Sequence, residues 1–178
     1  MHTILKSNIG EVVIGIDRPF VIIGEKINPT GRRKLAAALS EGNLDYVRQL
    51  AENQVAWGAD VLDINVGVPG LDEVSVVRKL VELLASLVDV PLCLDSANPA
   101  VLAAGLAAAP GKPLVNSVSG EEKKLATVLP LVKERGAAVI GLTMDDNGIP
   151  ETPEERIAVA EKIIERAVRM GIPIEDII

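Results

Sequence analysis

Short apolar runs alternate with stretches of helical periodicity along most of this chain. A short apolar run bounded by turn residues indicates a strand buried on both faces, which is typical of a parallel sheet. Between these runs, apolar residues recur every three or four positions, as in helices that cover such a sheet. Strands are predicted to begin near Val21, Val61, Leu92, Leu114 and Val139. Their spacing is close to the roughly 30 residues of one βαβ unit, so we predict five consecutive βα units.

Three further features frame these units. Residues 3–18 hold two runs rich in β-branched residues with a turn between them, which predicts an antiparallel hairpin. Phe20–Ile23 is the predicted first strand of the sheet, and 174–178 has the pattern of an approach to a sixth strand. Asn98 followed by Pro99 predicts the start of a helix, because Asn caps free amides and proline suits the first turn.

Polar side chains follow the apolar run of every predicted strand. The pairs are Glu25/Asn28, Asp63/Asn65, Asp95/Ser96, Asn116/Ser117 and Thr143/Asp145. Ligands of α/β folds bind where the carboxyl ends of the strands meet the following loops, so this pattern favours a shared, polar cavity. No strand is followed by a Gly-x-Gly-x-x-Gly turn, which argues against a dinucleotide-binding sheet. We therefore predict an α/β fold, a TIM (β/α)8 barrel, with residues 1–178 as its single domain.

The chain is too short for a complete barrel of this kind. A (β/α)8 barrel needs about 250 residues, whereas this chain has 178. We expect a barrel truncated after about five βα units, either as a shortened chain or gene fragment or as one part of a split barrel. An open sheet exposes two edges and apolar helix faces, so we also expect a homo-oligomer or a completing partner chain.

Asp95 and Asn116 are the most informative of the strand ends. A carboxylate and an amide at neighbouring strand mouths offer acceptors and a donor in a fixed arrangement, which suits the edge of a flat nitrogen heterocycle. Ser96 adds a hydroxyl beside Asp95. The alternative is that Asp95 and Asn116 only cap the helices that follow them, as Asp and Asn often do.

Asp63 and Asn65 share one face of their predicted strand, because side chains alternate along a strand. If that face points into a barrel, the carboxylate of Asp63 needs a hydrogen-bond partner, since an unpaired buried carboxylate costs several kcal/mol. The sequence leaves two candidates for this partner, a ligand or a backbone amide.

Composition narrows the function classes. The net charge of -7 argues against non-specific binding to nucleic acid or to an anionic membrane. His2 is the only histidine and Cys93 the only cysteine, so a Cys/His metal site and a histidine-based nucleophilic triad are excluded. The N-terminal residues lack the pattern of a signal peptide, and the longest uncharged stretch is too short to span a bilayer. We therefore expect a cytoplasmic protein with no membrane partner.

Five motifs occur in an order that belongs to one family of barrels. They are GEKINPTG at 24–31, LDINVG at 62–67, LCLDS at 92–96, VNSVSGE at 115–121 and GLTMDDNGIP at 141–150. Over residues 20–178 the chain resembles the pterin-binding, dihydropteroate-synthase-like barrels. In detail it is similar to the methyltetrahydrofolate:corrinoid/iron-sulfur protein methyltransferases, which include the folate module of cobalamin-dependent methionine synthase.

This resemblance implies an activity and a set of binding residues. The implied reaction transfers the N5 methyl of methyltetrahydrofolate to the cobalt of a corrinoid carried on a separate protein. Asp95 and Asn116 match the carboxylate and amide that hold the edge of the pterin, while Asn28, Asp63 and Asn65 lie in motifs around the same cavity. The family has further pterin-binding residues on later strands that nothing here matches, so we expect this chain to lack full activity alone.

Two other functions stay open. Dihydropteroate synthase, which acts in folate biosynthesis, carries a Thr-Pro-Asp-Ser-Phe loop after its first strand, where this chain has NPTGRR at 28–33. The other is a non-catalytic barrel fragment that binds pterin weakly or serves only assembly.

Overall fold

A computed structural model describes residues 1–178. The strands are β1 (Thr3–Lys6), β2 (Glu11–Ile14), β3 (Ile23–Ile27), β4 (Val61–Ile64), β5 (Leu92–Asp95), β6 (Leu114–Ser119) and β7 (Ala138–Leu142). The helices are α1 (Arg33–Glu41), α2 (Asp45–Ala56), α3 (Glu73–Leu87), α4 (Pro99–Ala108), α5 (Glu122–Arg135) and α6 (Pro153–Arg169).

The sheet confirms the predicted succession of βα units. Strands β3 to β7 form one parallel sheet in chain order, and β1 and β2 form a separate antiparallel hairpin. Consecutive parallel strands that are neighbours in the sheet, each joined by helix, are the arrangement of an α/β barrel. Five such units give a TIM-type barrel that is open on one side, since β3 and β7 do not pair with each other.

Side chains alternate along the strands, so one buried face of the sheet packs against the helices and the other faces the barrel interior. Leu62, Leu94 and Val115 belong to the large core that the strands share with the helices. Val61 and Cys93 face the other way, into the barrel, where they pack in one cluster with Leu5, Leu114 and Ala138. Because side chains alternate, the inward residues two positions after Val61, Cys93 and Leu114 are the polar Asp63, Asp95 and Asn116.

The hairpin covers the end of the barrel at which the strands begin. The backbone N–H of Lys6 donates to the carbonyl of Lys112 over 2.9 Å, and the N–H of Lys112 donates back to Lys6 over 3.0 Å. Lys112 lies just before β6, and its ammonium donates to both oxygens of Asp176 at 2.6 and 2.7 Å. Asp176 is only 4% exposed. One lysine therefore ties the hairpin, the start of β6 and the C-terminal turn together.

The first strand of the sheet begins later than the sequence predicts. The interval Phe20–Ile23 was expected to be a strand, but β3 covers Ile23–Ile27 and Phe20 is fully exposed. Pairing with β4 starts at Ile22, whose carbonyl accepts the N–H of Val61. Pro19 has no N–H to donate to a ladder, so apolar character alone does not extend the strand upstream.

The approach to a sixth strand is also shorter than predicted. Ile174–Asp176 form one turn of 3-10 helix, because the N–H of Asp176 donates to Pro173 over 3.0 Å. Only Ile178 and its neighbour align with β7, where the N–H of Ile178 donates to Val139 and its carbonyl accepts from Gly141. None of the helices is both long enough and apolar enough to cross a membrane.

We expect Asp176→Asn to lower the free energy of unfolding by about 2–3 kcal/mol. Removing one partner of a buried ion pair leaves an uncompensated charge, and Lys112 retains enough access to water to place the loss at the lower end of the usual range. Urea unfolding measures this change. The matched control is Glu11→Gln, which breaks the exposed hairpin pair of Glu11 with Lys6 and should change stability by no more than about 0.5 kcal/mol. Equal losses of stability in both variants would contradict the role of the Lys112–Asp176 pair in holding the hairpin, β6 and the C-terminal turn together.

Candidate functional site

Four polar side chains lie together where β4, β5 and β6 end. Asp63 is on β4 and Asn65 directly follows it, Asp95 ends β5, and Asn116 is on β6. Asp95 and Asn116 are direct neighbours in the parallel register of β5 and β6. Adjacent strands lie about 4.8 Å apart, so the carboxylate and the amide reach into the same space.

Asn65 and Asp95 form the outer of two hydrogen-bonded pairs. The Nδ2 of Asn65 donates to Oδ2 of Asp95 over 2.9 Å. The Oδ1 of Asn65 accepts the backbone N–H of Gly67 over 2.7 Å, which sets the orientation of the Asn65 amide. The protein therefore holds one oxygen of the half-buried Asp95 and provides no donor for the other.

Asp63 and Asn116 form the inner pair. The Nδ2 of Asn116 donates to Oδ1 of Asp63 over 3.2 Å, and the bond passes over β5. Asp63 is only 2% exposed, its Oδ2 has no hydrogen-bond partner, and Cys93 is its register neighbour on β5. The partner of Oδ1 is thus a side-chain amide of the barrel, which the sequence reasoning did not consider, and a ligand as a further partner stays a prediction.

Burial sets the electrostatics of the inner pair. Desolvation raises the pKa of the Asp63 carboxyl above its ordinary value, and the negative charges of Asp95 and Glu25 act in the same direction. The nearby Cys93 thiol and the hydrogen bond from the Asn116 amide oppose that shift. Burial also raises the pKa of the Cys93 thiol, so the thiol stays protonated.

Helix capping does not account for Asp95 or Asn116. Helix α4 is capped by Asn98, whose Oδ1 accepts the N–H of Ala100 over 3.0 Å, as predicted from the Asn98-Pro99 pair. Helix α5 begins at Glu122, its N-cap residue Glu121 makes no capping hydrogen bond, and neither does Asn116. The capping alternative is therefore wrong for both residues, and their polar groups are directed toward the shared space.

Ser96 and Asn28 lie nearby and shape their own loops. The Oγ of Ser96 accepts the N–H of Asn98 over 3.1 Å, and Oδ1 of Asn28 accepts the N–H of Thr30 over 3.0 Å. Each side chain closes a local turn at the end of a strand. Ligand contact by Ser96, Asn28, Asp63, Asn65, Asp95 and Asn116 stays a prediction.

Sequence reasoning missed the position of Cys93 beside Asp63. Glu25, which the sequence does single out at a strand end, acts with burial to raise the pKa of Asp63. Ser119 at the end of β6 is buried, and its Oγ has no hydrogen-bond partner. The register of neighbouring strands is the signal that pairs Cys93 with Asp63, and periodicity within a single strand does not contain it.

The acids of the loop after β7 have structural partners. The Oδ2 of Asp146 accepts the N–H of Glu122 at the start of α5 over 3.2 Å. The Oδ1 of Asp145 accepts the N–H of Asn147 over 2.8 Å, within a tight turn closed by Gly148. These contacts order the loop beside the strand ends.

Comparison with known proteins settles the family. The pterin binding enzyme family matches residues 24–178. This chain belongs to the pterin binding enzyme family. The chain is similar to two methionine synthases, from Mycobacterium tuberculosis at 34% identity over 153 residues and from Mycobacterium leprae at 34% over 149 residues. The alignments cover 83% and 81% of this chain.

Solved structures agree with this family assignment. A Yersinia pestis dihydropteroate synthase with a pterine-sulfa conjugate superimposes with a TM-score of 0.70 at 24% identity and covers 99% of this chain. That likeness shows the fold. A Xanthomonas albilineans dihydropteroate synthase in complex with 7,8-dihydropteroate is 26% identical, with a TM-score of 0.64 over 93% of this chain.

This member of the pterin binding family is much shorter than those relatives. It spans 13% and 12% of the two methionine synthases. It spans 62% and 59% of the two dihydropteroate synthase chains. The shared part comprises the strands that carry the two hydrogen-bonded pairs.

We expect Asp63→Asn to gain stability relative to the wild type as the pH rises from about 4 to 8. The folded-state pKa of Asp63 lies above the unfolded value of 3.8, so the folded protein holds this proton more tightly. The contribution of the carboxyl to stability is therefore complete at low pH and is lost as the pH rises through the folded pKa. Asn does not ionise and avoids that loss.

Urea unfolding of both proteins at a series of pH values measures this difference. A variant that is less stable than the wild type at neutral pH, or a difference that does not change with pH, would contradict the assignment of a desolvated carboxyl at position 63.

Proposed function

We propose that this chain binds the pterin ring of methyltetrahydrofolate and serves the transfer of its N5 methyl to the cobalt of a corrinoid protein. The observation that supports this most directly is the side-by-side position of Asp95 and Asn116 in the register of β5 and β6. The 34% identity to methionine synthases favours this reaction within the family.

The polar groups suit a reduced pterin. Such a ring presents an exocyclic amino group beside a ring N–H, and the free oxygen of Asp95 accepts from donors of this kind. The Oδ1 of Asn116 adds an acceptor next to it, since the Nδ2 of that amide donates to Asp63. Two hydrogen-bonded points fix a flat ring in its plane, which a single contact does not.

Orientation is the main contribution that these residues make to methyl transfer. The N5 atom of methyltetrahydrofolate is a tertiary amine and a poor leaving group, so it needs a proton or a strong hydrogen bond before the methyl departs. The reduced cobalt of a corrinoid, carried on a separate protein, would supply the nucleophile that takes the methyl as its bond to N5 breaks. Asp95 and Asn116 hold the ring so that the methyl faces one direction, and a well-oriented reaction avoids much of the entropic barrier.

Several parts of the proposal concern a larger assembly. Because the chain spans about an eighth of the methionine synthases, turnover and the corrinoid partner are proposed for the assembly that completes the barrel. A homo-oligomer or a completing partner chain, the single-domain assignment of residues 1–178 and the cytoplasmic location stay predictions.

Dihydropteroate synthase activity is the second candidate. The 26% identity to a synthase solved with 7,8-dihydropteroate favours it. The loop after β3 disfavours it, because residues 28–33 read NPTGRR where dihydropteroate synthases carry Thr-Pro-Asp-Ser-Phe. Calorimetry separates the two: we expect methyltetrahydrofolate to bind more tightly than 6-hydroxymethyldihydropterin pyrophosphate. The reverse order would favour the synthase, and no binding of either compound would favour a non-catalytic fragment.

We expect Asp95→Ala to weaken binding of methyltetrahydrofolate by roughly 30- to 900-fold. This range corresponds to about 2–4 kcal/mol, the effect of leaving polar atoms of the ligand unpaired in a partly buried site. Titration calorimetry or the change in ligand fluorescence measures the affinity. Glu82→Ala is the control, since it removes an exposed carboxylate from α3 on the outside of the barrel and should leave the affinity unchanged. Equal affinities of Asp95→Ala and wild type would rule out the proposed ring contact.

A further inference from the structure

Asp63 is a carboxyl placed where the barrel is otherwise apolar. Its inward neighbours are Val61 on the same strand, Cys93 on β5 and Leu114 on β6, which pack with Leu5 of the hairpin. The residue is 2% exposed, and its Oδ2 has no hydrogen-bond partner. An aliphatic side chain of similar size fits such surroundings better than a carboxyl does. The stability of the fold therefore does not explain Asp63.

The other carboxyl oxygen of Asp63 fixes the orientation of a neighbouring side-chain amide. The Oδ1 accepts Nδ2 of Asn116, the residue beside Asp95 at the mouth of the barrel. A side-chain amide has a donor end and an acceptor end that differ little in shape, so its environment decides which end faces a ligand. The bond to Asp63 commits the nitrogen end toward β4 and leaves Oδ1 of Asn116 for other partners.

We infer that Asp63 is a positioning residue, which orients the amide of Asn116 for a ligand without touching that ligand. The inference rests on the proposed function as far as the ligand is a pterin. It assigns different roles within the pairs: Asp95 and Asn116 contact the ring, while β4 supplies the groups that hold them. Asn65 stands in the same relation to Asp95, and its own amide is fixed by the N–H of Gly67.

Two substitutions separate positioning from the other possible roles of Asp63. Asp63→Asn keeps an acceptor for Asn116, because Asn presents its Oδ1 to the same donor, but it removes the charge. Asp63→Leu removes both the acceptor and the charge and fills the space with apolar atoms. If Asp63→Leu does not fold, Asp63→Ala takes its place, since it only removes atoms.

We expect the affinity for methyltetrahydrofolate to fall about tenfold in Asp63→Leu, the effect of about one hydrogen bond. In Asp63→Asn it should stay within about threefold of the wild type. Equal weakening in both variants would mean that the charge itself meets the ligand and would overturn the inference. Unchanged affinity in both would also overturn it, because the carboxyl would then serve structure only.

A second readout needs no ligand. The side-chain amide of Asn116 gives its own pair of signals in a proton–nitrogen NMR spectrum, identified by their loss in Asn116→Asp. We expect a distinct, slowly exchanging pair in the wild type and in Asp63→Asn, and a shifted or exchange-broadened pair in Asp63→Leu. An Asn116 amide that behaves alike in all three proteins would overturn the inference, whatever the binding results.

The two readouts distinguish failure of the inference from failure of the proposed function. If the wild type binds no methyltetrahydrofolate while Asp63→Leu still releases the Asn116 amide, positioning stands and the proposed ligand is wrong. Asp176→Asn is the matched control, because it also converts a buried carboxylate to an amide but lies at the opposite end of the barrel. It should lower stability and leave both the affinity and the Asn116 signals unchanged.

Discussion

The parallel register of β4, β5 and β6 is the constraint on which the strand-end group depends. It sets Asp63 beside Cys93 and Asp95 beside Asn116. A slip of one residue in either ladder would turn the polar side chains of one strand toward the helices, because successive side chains point to opposite faces. The apolar core between sheet and helices resists such a slip, since it would expose residues such as Leu94 and Val115 to the barrel interior.

The interior of the barrel changes character along its axis. Near the hairpin it is apolar, with Leu5 and Leu114 in one buried cluster, and further along β4, β5 and β6 it becomes a set of carboxyls and amides. Side-chain hydrogen bonds between the strands hold these carboxyls and amides in place. This arrangement costs stability, because the carboxyl of Asp63 is desolvated. Residues that reduce stability in this way are typical of functional sites.

The open side of the sheet connects the fold to its relatives. Ile178 already pairs with β7 as the next strand of a barrel would, and the solved dihydropteroate synthases contain this whole chain within about three-fifths of their length. Both hydrogen-bonded pairs lie on the middle strands, away from the open edges. The polar group formed by β4 to β6 is therefore assembled within this chain.

The sequence alone determined the order of strands and helices, the polar strand ends and the family motifs. These follow from periodicity, from turn and cap residues such as Asn98, and from composition, all of which act over a few neighbouring positions. The prediction from the sequence was wrong where pairing with a distant segment determines the structure. The apolar character of Phe20 indicated a strand, but pairing with β4 starts only at Ile22. The partner of Asp63 was decided by the tertiary structure alone. The period of a strand determines which face a side chain occupies, but only packing between strands determines which residue of another strand lies within reach of it.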